Sequence, residues 1–170
     1  MDPFLLTDAP VETIDDYLGS EVGGRGFEAL DRLGVDAVLE EITASGLRGR
    51  GGGGFPTGRK WAGIKGSGTG RRFVVVNGAE GEPGTFKDRA LLRSNPFPMV
   101  EGAMVAARVV GAEGIYVCVK GTYERERARV LEAAEGLQNA GFCPDLSITV
   151  VAGPDEYLFG EEKAMLEVIE

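Results

Sequence analysis

Phe73-Val-Val-Val76 runs straight into Asn77-Gly-Ala-Glu-Gly-Glu-Pro-Gly84, and the reading of that junction decides the fold. Val74, Val75 and Val76 are β-branched and unbroken by polar residues, as in a strand buried on both faces of a parallel sheet. The glycines and Pro83 behind them turn the chain out of the sheet. Ser94-Asn95-Pro96 then gives a helix start, a capping residue followed by proline. A helix from Pro96 to about Val110 brings Val100, Ala103, Met104 and Ala107 onto one face, and Gly111 ends it. Ile115-Tyr-Val-Cys-Val119 is a second strand, with Cys118 packing inside it. Glu124 to about Leu137 is an amphipathic helix with Val130, Leu131, Ala134 and Leu137 directed inward. Leu146-Ser-Ile-Thr-Val-Val151 is a third strand, and Glu161 to Glu170 begins another helix.

Strands alternating with helices predict an α/β fold: a Rossmann-like, doubly wound, mainly parallel sheet preceded by helices and a Gly-rich loop. Ligands in such sheets bind beyond the carboxyl ends of the strands, so residues just after Val76, Val119 and Val151 are site candidates. Upstream, Gly26–Leu33 and Val35–Ser45 read as helical, with Val35, Val38, Leu39 and Ile42 on one face. Gly63 to Gly70 reads as a flexible surface loop. Residues 1–22 read as an irregular segment, and 23–170 as one α/β domain.

The charge is unevenly distributed. The chain of 170 residues carries −9 overall, yet Ile42 to Ala79 holds seven Lys or Arg and no Asp or Glu. That island contains Gly46-Leu-Arg-Gly-Arg-Gly-Gly-Gly-Gly-Phe-Pro-Thr-Gly-Arg-Lys60. Main-chain amides of such a loop can form a concavity for an anion, and Arg48, Arg50, Arg59 and Lys60 add fixed charge. A cradle for a phosphate-bearing cofactor fits better than a flexible linker, because Phe55, Pro56 and Trp61 interleave with the cations.

The same residues exclude other chemistry. Gly49 to Gly54 satisfies G-x-G-x-x-G, but it follows a helix and lacks the later acid of a dinucleotide fingerprint. Gly53 to Lys60 approaches a P-loop, but Arg59 breaks the Gly-Lys pair and Trp61 stands where a hydroxyl should bind magnesium. With no histidine, a Ser-His-Asp hydrolase cannot be assembled. Cys118 and Cys143 form no metal-binding pair and suit a reducing compartment. The acidic remainder disfavours nucleic acid, and no apolar run is long enough to insert into a membrane. Glu80 and Glu82 have two readings: solvated or capping loop acids, or acceptors for ribose hydroxyls. Glu161 and Glu162 are favoured by a helix N-terminus in any case.

Taken together, three segments in order resemble a known family: Ser45 to Trp61, Phe73 to Arg89, and Tyr157-Leu-Phe-Gly-Glu-Glu162. They are similar to the NADH-binding flavoprotein (51 kDa-type) subunit of complex I-like NADH dehydrogenases, a family that also serves NAD-linked hydrogenases and formate dehydrogenases. The resemblance implies an FMN-binding domain that accepts hydride from NADH. By position, Gly49, Arg50, Gly51, Gly52, Lys60, Asn77, Glu80, Gly160, Glu161 and Glu162 would contact FMN. Phe55 would stack on the dinucleotide, and Glu82 would bind its ribose. No side-chain catalyst is implied, since hydride passes directly to the flavin. A cytoplasmic module is implied, peripheral to a membrane complex and working with Fe–S subunits, the 4Fe–4S cluster lying in further or partner domains. On that pattern residues 23–170 are an incomplete domain, not fully competent alone.

Three positions depart from the family: Ala79 stands for an Asp, Gly63 for an aromatic, and Lys163 for a Thr. Ala79 and Gly63 favour an alternative, a degenerate relative acting as a scaffold or nucleotide-binding subunit. Asn77-Gly-Ala-Glu80 with Glu82-Pro83 is also similar to the C subunit of the Rnf complex.

Overall fold

The structure is a computed structural model, and it describes residues 6–51, 53–68 and 70–170. Three parallel strands, β1 (Phe73–Gly78), β2 (Gly114–Lys120) and β3 (Ser147–Gly153), form a sheet in the order β1-β2-β3. Phe73 pairs with Gly114 and Gly114 with Ser147, so the strands start level, and β1 ends one residue before the other two. Parallel neighbours need crossovers. Helices α4 (Lys87–Ser94) and α5 (Phe97–Val110) connect β1 to β2, and α6 (Glu124–Asn139) connects β2 to β3. Before the sheet come α1 (Ile14–Leu18), α2 (Arg25–Ala44) and α3 (Thr57–Gly66); after it come a 3₁₀ turn (Tyr157–Gly160) and α7 (Glu162–Ile169).

Strand alternation assigns the two faces. Ile115, Val117 and Val119 point into the main core with Val100, Met104, Val130 and Leu137 from α5 and α6. Cys118 points the other way, into a smaller cluster with Ala79, Phe159 and Met165. The sheet is thus flanked by helices on both faces, as the α/β pattern predicts. Cover on the second face is incomplete: Phe73 and Val75 on β1 remain 40% and 38% exposed.

Helix α5 is the centre of the molecule. Ten of its residues are buried, because it packs on the sheet, α2, α3 and α6 at once. A helix apolar nearly all round is stable only in such a setting. One of those ten is Glu101, which accepts hydrogen bonds from Tyr17 Oη (2.7 Å), Gly24 N (2.8 Å) and Gly26 N (2.6 Å). The carboxylate therefore caps the start of α2 and anchors α1 to the core, while Tyr17 stacks on Phe97 with ring centres 5.0 Å apart. Burial, reinforced by Glu101, pushes the Tyr17 phenol far above its ordinary range, so it stays a donor.

Several expectations are corrected here. Residues 6–22 are not irregular throughout, since α1 is helical and Tyr17 is buried. The Gly63–Gly70 stretch is not all loop, because α3 runs through Gly66; Trp61 on its first turns packs against the core and holds the helix despite its glycines. Leu131 does not point inward; it is exposed, and Ala133 takes the buried position. By contrast, α2 breaks at Gly34 (φ 80°, ψ 167°), between the two helical stretches read from the sequence.

Candidate functional site

The Gly-rich loop is a closed arch rather than a linker. Arg48 and Pro56 form an antiparallel bridge, Gly49 N donates to Phe55 O (2.9 Å), and Thr57 N donates to Leu47 O (2.9 Å). Arg48 Nη1 adds a bond to Gly54 O at 3.0 Å. Helix α3 leaves the arch and lies directly on α2: a Cβ on Gly58 would sit 2.2 Å from Thr43 Oγ1. Glycine is required there by close approach.

The arch faces the carboxyl ends of β1 and β3 across a cleft of about 610 Å³. Arg50 and Gly51 line one side; Asn77, Glu80, Gly81, Glu82, Lys87 and Asp88 come from the segment after β1; Tyr157, Gly160 and Glu161 come from the segment after β3. Two side-chain bonds join the last two walls. Asn77 Nδ2 donates to Gly160 O at 2.8 Å, and Tyr157 Oη donates to Glu82 Oε1 at 3.0 Å. The Tyr157 phenol is held above its ordinary range chiefly by that bond to Glu82. Gly81 runs beneath Tyr157, where a Cβ would come 3.0 Å from the Tyr157 carbonyl oxygen. A larger hollow of about 730 Å³ lies along Arg25, Glu28 and Arg32 of α2, but one helix face alone forms it.

Most of the basic island is spent on structure. Lys65 pairs with Asp36, Arg71 with Glu113, and Arg72 Nη1 bonds Val110 O. Arg59 stands 5.7 Å from the centre of the Phe55 ring. Among the described residues the side chains of Arg50 and Lys60 have neither ion pair nor hydrogen bond, and only Arg50 lines the cleft. Lys87 lines it too, but its Nζ is 2.7 Å from both Asp88 carboxylate oxygens.

Of the residues singled out from sequence, Arg50, Gly51, Asn77, Glu80, Glu82, Gly160 and Glu161 meet at this cleft. Gly49, Phe55, Lys60 and Glu162 do not line it, and Gly52 lies outside the described residues. Gly81, Lys87, Asp88 and Tyr157 line it without having been singled out. All four lie within or beside the two later motifs, which is the signal that could have found them.

Glu80 resolves one of the two open readings. Its side chain is only 1% exposed and accepts from Asp88 N (2.9 Å), Arg89 N (3.5 Å) and Arg89 Nε (3.0 Å). The carboxylate caps α4, and it is the main chain of Glu80 that borders the cleft. Burial alone would raise its pKa, but the bonds from Asp88 and Arg89 outweigh it and hold the group below its ordinary 4.5. A depressed carboxyl contributes stability above that value and loses it as pH falls through the folded value. Glu80→Gln is therefore expected to flatten the stability–pH curve below about pH 4.5. Chemical denaturation at pH 3 to 7 measures it, and parallel wild-type and variant curves would contradict the assignment.

Ala79 is fully buried against Cys118, Phe159 and Met165, so the departure from Asp falls at a packing position in this chain. Cys118 beside it is a core residue, its thiol pushed up to about 11 by burial.

The family model for the Nuo51 FMN-binding domain matches residues 42–170, an interval holding all three cleft walls. The chain belongs to the Nuo51 FMN-binding domain family. It is 40% identical to the F subunit of NADH-quinone oxidoreductase from Rhodobacter capsulatus over 154 residues, 85% of this chain and 36% of that protein. It is 34% identical to the corresponding protein of Aquifex aeolicus, over 94% of this chain and 39% of that protein. The crystal structure of an air-oxidized NAD+-reducing NiFe-hydrogenase superimposes with a TM-score of 0.80 at 34% identity, over 95% of this chain and 28% of that one. The chain thus spans about two-fifths or less of these relatives.

The cleft of this Nuo51-family chain fits a flavin mononucleotide. Its volume is within the roughly 300–1,000 Å³ of small-molecule sites. Arg50 is an unpaired cation beside glycine amides, suited to a phosphate. A Cβ on Gly51 or Gly160 would meet no protein atom within 4 Å, so a ligand can approach both backbones. Among the described residues no helix is long and apolar enough to cross a membrane, and no group of His, Cys, Asp and Glu could hold a metal.

Proposed function

We propose that this chain is the FMN-binding module of an NADH dehydrogenase, of the F-subunit type, taking hydride from NADH and passing electrons to Fe–S partner subunits. The convergence of the arch, the Asn77–Glu82 turn and the Tyr157–Glu161 segment on one cleft carries this reading. FMN, when bound, supplies the chemistry: a flavin accepts hydride from a nicotinamide and releases electrons singly. The chain's own residues bind and orient. Arg50 and the Gly51 amide hold the phosphate; Asn77, the Glu80 main chain, Gly160 and Glu161 border the cofactor. Gly49 closes the arch through its bond to Phe55 O, and Lys60, set back from the cleft, adds positive charge behind it. Glu82, exposed and fixed by Tyr157, offers a carboxylate to ribose hydroxyls of the dinucleotide. Phe55 is half exposed at the arch, and the side of its ring away from Arg59 would stack on the dinucleotide. Comparison with multi-subunit relatives supports a module working in a larger assembly, in the cytoplasm and peripheral to a membrane complex.

The experiment is to purify the chain with FMN, record the visible spectrum and add NADH without oxygen. A yellow protein that bleaches supports the reading. Bound flavin that stays oxidised favours a degenerate relative, and failure to bind flavin favours a scaffold.

One variant probes the dinucleotide side. Gly63 is exposed on α3 with no atom within 4 Å of a Cβ, so a side chain can leave the helix there without a clash at its root. Gly63→Phe is expected to lower the KM for NADH about threefold to tenfold by adding a stacking surface, with kcat little changed. An unchanged or higher KM in steady-state assays would show that position 63 does not reach the substrate.

A further inference from the structure

We propose that Tyr123 and Arg89, neither of which lines the cleft, form a clamp that holds the Glu80 main chain in its cleft-bordering conformation and so sets how tightly the flavin is retained. The flavin half of this proposal rests on the function argued above; the clamp itself does not.

Glu80 has φ +43°, the left-handed region that a residue with a Cβ adopts only when its surroundings impose it. Its carboxylate reaches forward to α4, and the strongest charged partner there is Arg89 Nε at 3.0 Å. Asp88 N holds one carboxylate oxygen at 2.9 Å and Arg89 Nε holds the other, so fixing the Arg89 side chain fixes the second half of the grip. Its Nη2 donates to Thr85 O at 3.4 Å, a long bond. Its guanidinium carbon stands 5.0 Å from the centre of the Tyr123 ring, within cation–π range.

Tyr123 belongs to a different part of the fold, the turn between β2 and α6, where its N–H donates to Lys120 O at 3.0 Å. Lys120 is buried; its Nζ lies 6.0 Å from the same ring and 3.5 Å from Asp155 Oδ1. Thr122 Oγ1 also donates to Asp155, at 3.2 Å. Asp155 stands two residues before Tyr157, whose hydroxyl returns to Glu82. Contacts run from Glu80 through Arg89, Tyr123 and Lys120 to Asp155, and from Tyr157 to Glu82; the chain itself joins Asp155 to Tyr157 and Glu82 to Glu80. The end of β2, which contributes nothing to the lining, thereby ties the two lining walls together.

The test uses the full chain with four variants: Tyr123→Leu, Tyr123→Phe, Arg89→Met and their Leu/Met double. Amide exchange at Asp88 and Arg89, whose N–H groups donate to the Glu80 carboxylate, measured by NMR without flavin, is expected to speed up in Tyr123→Leu and stay near wild type in Tyr123→Phe, which keeps the π-face. FMN affinity, read by quenching of flavin fluorescence, is expected to fall roughly fivefold to tenfold in Tyr123→Leu, and less than twofold in Tyr123→Phe. The double variant should bind no more weakly than Arg89→Met alone, since both changes break one clamp. Equal exchange in the Leu and Phe variants would overturn the clamp, whether or not flavin binds. Normal clamp behaviour in exchange with no flavin bound by the unmutated chain would overturn the functional reading and the retention role instead. If the Leu variant does not fold, Arg89→Met and Tyr123→Phe carry the same comparison.

Discussion

Glu101→Ala is expected to destabilise the chain by about 3–5 kcal/mol, the largest effect of any single substitution considered. Two buried donors, Tyr17 Oη and the Gly24 amide, and the half-buried Gly26 amide would lose their acceptor together. Leaving one buried donor unpaired costs about 1–3 kcal/mol, and relaxation at the start of α2 recovers part of the sum. Glu101→Gln tests the mechanism. Its oxygen can serve some of the donors, but its NH2 group would oppose another, so an intermediate loss is expected. Urea unfolding monitored by far-UV circular dichroism measures both. A Glu101→Ala loss below about 1 kcal/mol would show that water replaces the carboxylate, and the anchoring role of Glu101 would be abandoned. The Tyr17 contribution stays intact below the phenol's ordinary value of 10 and is lost only as pH rises beyond it.

The second large effect is expected at Gly153. A Cβ there would lie 2.0 Å from Phe159 Cζ and 2.3 Å from two further ring atoms, so the ring must leave. Phe159 is 2% exposed and is the main apolar anchor of the segment before α7. Releasing it forfeits roughly 3 kcal/mol of burial and packing. The functional loss should be larger in proportion, because Gly160 and Glu161 follow directly and form one wall of the cleft. Gly153→Ala is therefore expected to lower FMN affinity at least tenfold while the rest of the sheet persists. Gly160→Ala, where no protein atom lies within 4 Å of a Cβ, should leave stability nearly unchanged. If the two variants unfold alike, the packing account of Gly153 fails.

Much of the architecture was legible in the residues because it depended on local signals. The β-branched runs formed strands, Gly34 separated two helical segments, and Gly111 ended α5 with φ 68°. The elements that were missed depended on distant partners. Helix α4 is short and lies within a motif read for its chemistry, and its first turn is capped by Glu80 rather than by a neighbour. Helix α1 is only five residues long and is held by the Tyr17–Glu101 contact across the core. Helix α3 survives its glycines because Trp61 packs inward and Gly58 sits against α2.

The candidate site divides the same way. Motif order brought seven named residues to one cleft, but composition could not tell how a charge is used. Most cations of the basic island are engaged away from the cleft, leaving Arg50 as its unpaired cation among the described lining residues. Glu80 and Glu82 look equivalent in sequence, two acids in one turn. In the fold, one is a buried cap and the other an exposed acceptor, because Arg89 comes back over Glu80 from the first turn of α4.

Phe73 and Val75 carry a further implication. They sit on β1, an outer strand with no second neighbour in the sheet among the described residues, and Arg71 rests over the Phe73 ring 5.0 Å from its centre. An uncapped, oily margin of this kind recruits like margins at high concentration, and here the Arg71 guanidinium and the Tyr116 ring cover it in part. At high concentration the polypeptide is thus expected to self-associate through this margin, and Val75→Lys is expected to reduce that association in light scattering.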